Sequence, residues 1–124
     1  MSIGFLILKP GNNLNRDAAD IVHTFSAMGD STRLTILTRL MQGELPLLAL
    51  ASPLEMSLTA VSKHVSVLQK AGLVAVEKRG RTRYCRIRME RFTEAVTWMH
   101  DCEQFWTQNL DQLALHLDDP QNDT

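Results

Sequence analysis

Between Ser57 and Gly72 lies a run of side chains whose chemistry suits nucleic-acid binding. Its polar positions are small, hydroxylated or basic, and none is acidic; they are Thr59, Ala60, Ser62, Lys63, His64 and Ser66. Small residues let a helix lie deep in a groove, where hydroxyl, ammonium and imidazole groups can contact base edges or phosphates. An ordinary amphipathic helix with a solvated face has the same pattern, so the segment alone leaves both interpretations open.

Positive charge is concentrated in and after this segment. Residues 57–91 contain nine Lys and Arg against two acids, a net charge of +7, whereas residues 92–124 contain seven acids and no Lys or Arg, a net charge of −7. The net charge of the whole chain, −1, hides this asymmetry. A basic block in an otherwise acidic chain indicates a localised surface for a polyanion.

A helix is predicted to present the polar positions on one face. Ser57 is a favourable N-cap because its hydroxyl can accept a free backbone N–H, and Gly72 can end the helix in the left-handed conformation. Val61, Val65 and Leu68 fall at i, i+4 and i+7, the spacing of a buried stripe. Together with the short helix expected before it, this element predicts a helix-turn-helix.

Two strands joined at residues 79–81 are predicted to follow. The positions expected to alternate inward are Val74, Val76, Cys85 and Ile87. The tip carries four basic side chains, Lys78, Arg79, Arg81 and Arg83. Such a hairpin can lie as a wing against a phosphate backbone. Charged edges also protect sheets from aggregation, but the position directly after a basic helix favours the wing.

Helices are predicted on both sides of this unit. The first begins near Arg16, ends at Gly29 and has one apolar face of Ala18, Ile21, Val22, Phe25 and Met28. Asp30 caps a second, with Leu34, Leu37, Leu40 and Met41 inward. A third, from Leu45 to Ser52, has Pro46 in its first turn and is closed by Pro53; it is apolar nearly all round and therefore expected to be buried. The fold class is mainly α with a small β-hairpin: four helices, two strands and a long final helix.

The final helix is predicted from Met89 to about Asp118. Its main apolar row is Phe92, Val96, Met99, Trp106, Leu110, Leu113 and Leu117, with Trp98, Cys102 and Phe105 beside it. This band is wider than a small winged domain can cover, so pairing with a second copy of the chain is the simplest way to bury it. Trp98 and Trp106 are expected in the dimer core more than in a ligand cage.

Length and composition limit the number of domains and the classes of protein to which the chain can belong. A chain of 124 residues is one domain by size, here assigned to residues 16–118, with an N-terminal arm (1–15) that is flexible or packed and a polar tail (119–124). No apolar run reaches the ~20 residues of a membrane span, and Cys85 and Cys102 form no CxxC pair, so a cytoplasmic protein is expected. No phosphate loop, nucleophile elbow or plausible triad is present, which argues against an enzyme.

Several stretches resemble the ArsR (SmtB-like) family of winged-helix repressors. They are Phe25 to Leu34, then Ser57 to Val74 with its Ser-Lys-His and Gly-Leu-Val, then Gly80-Arg81 with Tyr84. The resemblance covers about Arg16 to Asp118. It implies a dimer built on the first and last helices, the Ser57–Ala71 helix in the major groove, and release of DNA when an inducer binds.

The chain departs from the metal-sensing members of that family. Leu45 to Leu50 lacks their cluster of thiolate ligands. On the last helix the candidate ligands His100 and His116 are sixteen residues apart, although such residues could meet across a two-fold axis. The chain resembles a metal-independent branch, so no metal and no cofactor are predicted; a small-molecule inducer near Trp98 and Trp106 is kept as a refinement.

Two sets of site residues follow. The residues predicted to bind DNA are Ser57, Thr59, Ala60, Ser62, Lys63, His64, Lys70, Arg79, Arg81 and Arg83. The residues predicted at the dimer interface are Ile21, Phe25, Val96, Met99, Phe105, Trp106, Leu110 and Leu113. The expected function is a homodimeric repressor on a palindromic operator in duplex DNA; the alternative is a winged-helix module that binds an acidic protein or RNA.

Overall fold

A computed structural model describes residues 14–117, and the side chains of residues 19–115. The helices are α1 (Leu14–Met28), α2 (Ser31–Leu40), α3 (Leu47–Ala51), α4 (Leu58–Lys70) and α5 (Met89–Leu117). The strands are β1 (Leu45–Pro46), β2 (Val74–Arg79) and β3 (Thr82–Ile87), and a short 3₁₀ turn spans Ser52–Leu54. The predicted order of four helices, a hairpin and a long helix is confirmed. The arm and the tail lie outside the described residues, except that α1 already begins at Leu14.

Side-chain caps begin two of the helices. The Asp30 carboxylate accepts a hydrogen bond from the backbone N–H of Arg33 at 3.0 Å, and the Ser57 hydroxyl accepts one from Ala60 at 3.1 Å. At the end of α4, Gly72 has a φ of +79°, a region that glycine enters without a Cβ clash. Both predicted caps and the predicted stop after α4 are therefore confirmed.

The three strands form an antiparallel sheet in the order β1-β3-β2. Val74 pairs with Ile87 and Val76 with Cys85, so the predicted inward alternation of the hairpin is confirmed. Strand β1 was not predicted, because Pro46 was assigned to the first turn of a helix. Instead Pro46 has extended backbone, pairs with Tyr84 at the edge of the sheet and caps α3. Proline is tolerated there because an edge strand needs fewer N–H donors.

One core joins α2, α4 and the sheet. Its buried members are Ala27, Ile36, Leu37, Leu40, Leu50, Ala51, Val61, Val65, Leu68, Leu73, Val74 and Cys85. The inward stripe predicted for α4 is confirmed. The stripe predicted for α2 was partly wrong, because Leu34 and Met41 are exposed and Ile36 is buried in their place. The side of α2 that carries Ile36 faces α4 and β3, so packing selected the face.

The apolar faces of α1 and α3 are each buried only in part. On α1 the buried positions are Ile21, Thr24 and Ala27, whereas Val22 is 63% exposed. Thr24 is tolerated in the core because its hydroxyl donates to the Asp20 carbonyl at 3.0 Å. Helix α3 is not buried all round: Leu48 is exposed, because a helix of five residues turns only one side to the core.

Helix α5 packs against α1 only along its first half. Phe25 meets Trp98 edge to face, with ring centroids 5.8 Å apart, and the Arg91 guanidinium lies 3.1 Å from the Asp20 carboxylate. From Glu103 to Leu115 every side chain is exposed. No helix in the described range 14–117 is long and apolar enough to cross a membrane.

Candidate nucleic-acid interface

The outer face of α4 carries four of the ten residues predicted to bind DNA. Thr59, Lys63 and Lys70 are exposed, and Ser62 is half-buried. These positions lie opposite the stripe that anchors α4 in the core, so the helix is held rigidly while its polar face points outward. Ser57 is also exposed, but its hydroxyl is already used as the helix cap.

His64 is turned toward α2 instead of pointing straight out. Its Nδ1 lies 3.3 Å from an Arg33 guanidinium nitrogen and 3.7 Å from the Asp30 carboxylate, and its side chain is 21% exposed. Arginine can only donate, so Nδ1 is assigned as the acceptor of this contact, the tautomer in which Nε2 carries the ring proton. That N–H remains a donor for a base or phosphate. Base reading by His64 thus stays a prediction, restricted to one ring nitrogen.

Arg33 connects three helices around this histidine. Its Nε donates to the Ala27 carbonyl at 2.6 Å and a second nitrogen to the Ser26 carbonyl at 3.4 Å, both at the end of α1. The pKa of the Asp30 carboxyl is held below its usual range, first by the backbone N–H of Arg33 and also by the positive charge of that side chain. The sequence did not assign Arg33 or Asp30 to the site, although both fall in the stretch that resembles the family.

The wing divides its basic side chains between its two faces. Lys78 and Arg83 are directly paired across β2 and β3 and lie on the same face as Val76 and Cys85. Arg81 follows Gly80 in the two-residue turn, where a φ of +64° is accommodated by glycine. All three basic side chains are exposed, and among the side chains described none of the three forms an ion pair.

Arg79 differs from the other wing residues. Its guanidinium lies 2.7 Å from the Glu44 carboxylate, 3.1 Å from Glu77 and 4.6 Å from the centre of the Tyr84 ring. Hydrogen bonds that the guanidinium donates to the Glu44 and Glu77 carboxylates raise the pKa of Arg79 above its usual range. A phosphate would have to displace two carboxylates to bind it. Its role in DNA binding remains a prediction, and the structure offers Lys78 as a less engaged neighbour.

A cleft of about 940 Å³ separates α4 from the wing. Its polar lining includes Ser62, Lys78, Arg81, Thr82 and Arg83, and its apolar lining includes Leu47, Leu48, Leu58 and Tyr84. Leu48, Leu58 and Tyr84 were not predicted as site residues from the sequence. One signal was available for Leu58, since it lies one turn before Ser62 and therefore on the same side of the helix.

The residues predicted at the dimer interface fall into two groups. Val96, Met99, Phe105, Trp106, Leu110 and Leu113 are exposed on α5. In contrast, Ile21 is only 7% exposed and Phe25 is half-buried against Trp98, so both already pack within the chain. Val22 was predicted on the same apolar face of α1; it is exposed and has more free surface for a partner.

Groups that could hold a metal or a small ligand are dispersed. Among the described residues, no three His, Cys, Asp or Glu side chains lie close enough to hold a metal ion. His100 makes a 3.1 Å hydrogen bond to Gln104, and the side chain of His116 lies outside the described residues. Trp98 pairs with Phe25 and Trp106 with Phe105, and the two tryptophans are separated by about 12 Å along the helix axis.

Comparison with protein families gives a match to a helix-turn-helix domain over residues 28–77. The regulator Rv2034 of Mycobacterium tuberculosis is 34% identical over 100 residues, which cover 81% of this chain and 91% of that protein. NmtR of the same organism is 40% identical over 65 residues, 52% of this chain and about half (54%) of NmtR. The transcriptional activator HlyU of Vibrio cholerae is 30% identical over 87 residues, 70% of this chain and 81% of HlyU.

Solved structures show the same architecture. An ArsR-like transcriptional regulator from Rhodococcus sp. RHA1 superimposes with a TM-score of 0.68 at 29% identity, over 77% of this chain and 91% of that one. The homodimeric winged helix-turn-helix DNA-binding domain of Mb0332 from Mycobacterium bovis has a TM-score of 0.62 at 26% identity, over 79% and 93% of the two chains. The similarity therefore includes the helix-turn-helix, the wing and the flanking helices.

Proposed function

This chain belongs to the ArsR family of winged helix-turn-helix transcriptional regulators, and we propose that it acts as a homodimeric repressor on a palindromic operator. As a member of this family it is a DNA-binding transcriptional regulator. The observation that carries the proposal is the exposed polar face of α4, with Thr59 and Lys63, beside a cleft whose wing side is lined by Lys78, Arg81 and Arg83.

In this proposal α4 reads bases and the wing holds the backbone. Residues in the front half of a recognition helix reach base edges in the major groove, which suits Thr59, Ser62 and Lys63. Lys78, Arg81 and Arg83 supply positive charge for phosphates, and their contacts are mainly electrostatic. Arg33 and Asp30 act indirectly, because they hold His64 and join α4 to the end of α1.

The proposed dimer uses the exposed apolar band of α5. The homodimeric state of Mb0332 supports this arrangement. The second half of α5 supports it as well, because its apolar side chains would be exposed to solvent in a monomer. A two-fold dimer places two copies of α4 in successive major grooves, ~34–36 Å apart, so the operator is expected to be palindromic.

The proposed mode of action requires neither catalysis nor a metal. The protein acts in the cytoplasm, without catalytic activity and without a resident metal or cofactor. Support for metal independence comes from Leu45 to Leu50, which contains no thiolate. A chelator should leave operator affinity unchanged, and stoichiometric zinc that lowers affinity would contradict this.

An inducer pocket near Trp98 and Trp106 would need the second protomer to close it, since each tryptophan already pairs with a different phenylalanine.

The test begins with selection of duplexes from a random pool by the full-length protein. Sequencing should return one palindromic motif, and affinity for it should exceed that for a scrambled duplex and fall steeply with salt. Binding of RNA or an acidic peptide without preference for any duplex would instead support an interaction module.

Repression is tested separately from binding. A promoter that overlaps the selected motif should produce less transcript when the protein is added to a purified transcription system. Increased transcript, as the name of the relative HlyU suggests for that protein, would show that the chain is an activator while its DNA binding stands.

A further inference from the structure

Two exposed leucines belong to the apolar part of the lining of the cleft between α4 and the wing, whose other part is polar and basic. Leu58 is 46% exposed in the first turn of α4, and Leu48 is exposed on α3. Both lie beside side chains that suit a phosphate, namely Lys78, Arg81 and Arg83. A surface for phosphates alone would gain nothing from large apolar side chains, so their presence indicates an apolar group on the same ligand.

The position of Leu58 restricts which apolar group that is. Leu58 and Ser62 are four residues apart, so their side chains lie one above the other on the flank of α4 that faces the wing. In the major groove, the C5-methyl group of thymine is an apolar feature of a base edge that an apolar side chain can contact. A strand whose phosphates bind the wing would bring its base edges toward this flank of α4.

We propose that Leu58 reads the C5-methyl group of a thymine on the strand that occupies this cleft, with Ser62 beside it and the wing cations on the phosphates. The inference rests on the proposed function, because it requires the cleft to receive duplex DNA. It adds a specificity-determining residue that makes its contact through apolar surface instead of a hydrogen bond. Each half-site then contains at least one position where thymine is preferred over uracil.

The experiment combines changes on both molecules. Each thymine of the selected operator is replaced in turn by deoxyuridine, which lacks only the methyl group, and the affinity of the full-length protein is measured. At one symmetric position, wild-type affinity should fall about four-fold per half-site, the value of one buried methyl group, and roughly fifteen-fold when both half-sites are changed.

Variants then assign the methyl contact to a residue. Leu58→Ala should bind the thymine and deoxyuridine operators equally, whereas Leu58→Met, which keeps an apolar side chain, should retain the difference. Leu34→Ala is the matched control: it removes an exposed leucine of α2 that does not line the cleft, and it should retain the full methyl dependence. Thermal unfolding of each variant verifies that the fold is kept.

Three results would overturn the inference. In the first, every operator with a deoxyuridine in place of a thymine binds as well as the original operator. Another is methyl dependence that persists in Leu58→Ala but disappears in Thr59→Ser, which would make Thr59 the reader. Absence of any sequence-selective duplex binding would refute the proposed function itself, and the inference with it, and is recognised before any deoxyuridine is introduced.

Discussion

In the half of the molecule formed by α2, α4 and the hairpin, large apolar side chains are buried against one another, whereas in the second half of α5 they are exposed. Ile36, Val61, Leu68 and Cys85 are fully buried in the first half. On α5, Trp106 remains 62% exposed and its apolar neighbours are comparable. The first half completes its core within one chain, and the second provides a surface that a partner would complete.

This difference separates two requirements of the proposed function. A base-reading helix must keep its orientation before DNA arrives, which the buried stripe of α4 and the contacts of Arg33 ensure. Symmetric spacing of two such helices instead depends on an interface between chains. Substitutions in the two halves should therefore fail differently, one through local reading and the other through loss of assembly.

The largest effect is expected from charges placed in the exposed band of α5. Trp106→Glu combined with Leu110→Glu should convert the dimer to a monomer, because two carboxylates would be buried without partners. Operator affinity should fall by roughly 10²–10⁴, the gain that linked binding of two half-sites provides. Sedimentation and operator titration measure both quantities.

A matched control lies on the other side of the same helix. Gln108→Glu adds the same kind of charge at an exposed polar position about two hundred degrees around the helix from Trp106. It should leave both the dimer and operator affinity intact. A dimer that survives the double substitution would show that α5 is not the interface.

The next largest effect belongs to the outer face of α4. Removal of a base-reading side chain by Ser62→Ala or Lys63→Ala should cost ~1–3 kcal/mol for the operator and less for random DNA. The dimer should persist, because these residues are remote from the exposed band of α5. Equal losses on operator and random DNA would assign the two residues to phosphate contact instead.

A smaller, uniform effect is expected from the wing. Arg81→Ala should weaken operator and random DNA about equally and lower the salt slope of the dimer by roughly two units, one for each lost phosphate contact. Arg79→Ala is the comparison, since its guanidinium is held by Glu44 and Glu77. Its effect on the salt slope should be smaller. Identical slopes for the two variants would show that Arg79 leaves its carboxylates to bind DNA.

The smallest effect concerns the two cysteines, Cys85 in the hairpin and Cys102 on α5. Burial raises the pKa of the Cys85 thiol to about 11. In the unfolded chain this thiol ionises near 9.0, so the folded state holds its proton longer and loses stability as pH rises from 9.0 to about 11. Cys85→Ala should abolish this part of the pH dependence in thermal unfolding.

Alkylation at pH 8 measures the difference in accessibility between the two cysteine thiols. The half-buried Cys102 should react in the native protein, whereas the buried Cys85 should react only after unfolding. Rapid alkylation of Cys85 under native conditions would mean that the core formed by α2, α4 and the hairpin opens frequently.

Local signals in the sequence determined the element order and most of the α4–wing unit. Ser57, Asp30 and Gly72 act within a few residues of their own position, so their cap and stop roles could be predicted without the fold. The stripe of Val61, Val65 and Leu68 was equally clear, because helical periodicity is a property of neighbouring residues. Charge counting along the chain located the basic surface for the same reason.

Tertiary structure decided what depends on residues far apart in the sequence. Which side of α2 is buried, Ile36 or Leu34, follows from where α4 and β3 pack, and the exposure of Leu48 was not predicted for the same reason. The engagement of Arg79 requires Glu44, thirty-five residues earlier, and that of His64 requires Arg33, thirty-one residues earlier. The cleft that brings Leu58 to the wing also arises only on folding, because a composition or a period carries no information about which distant side chains become neighbours.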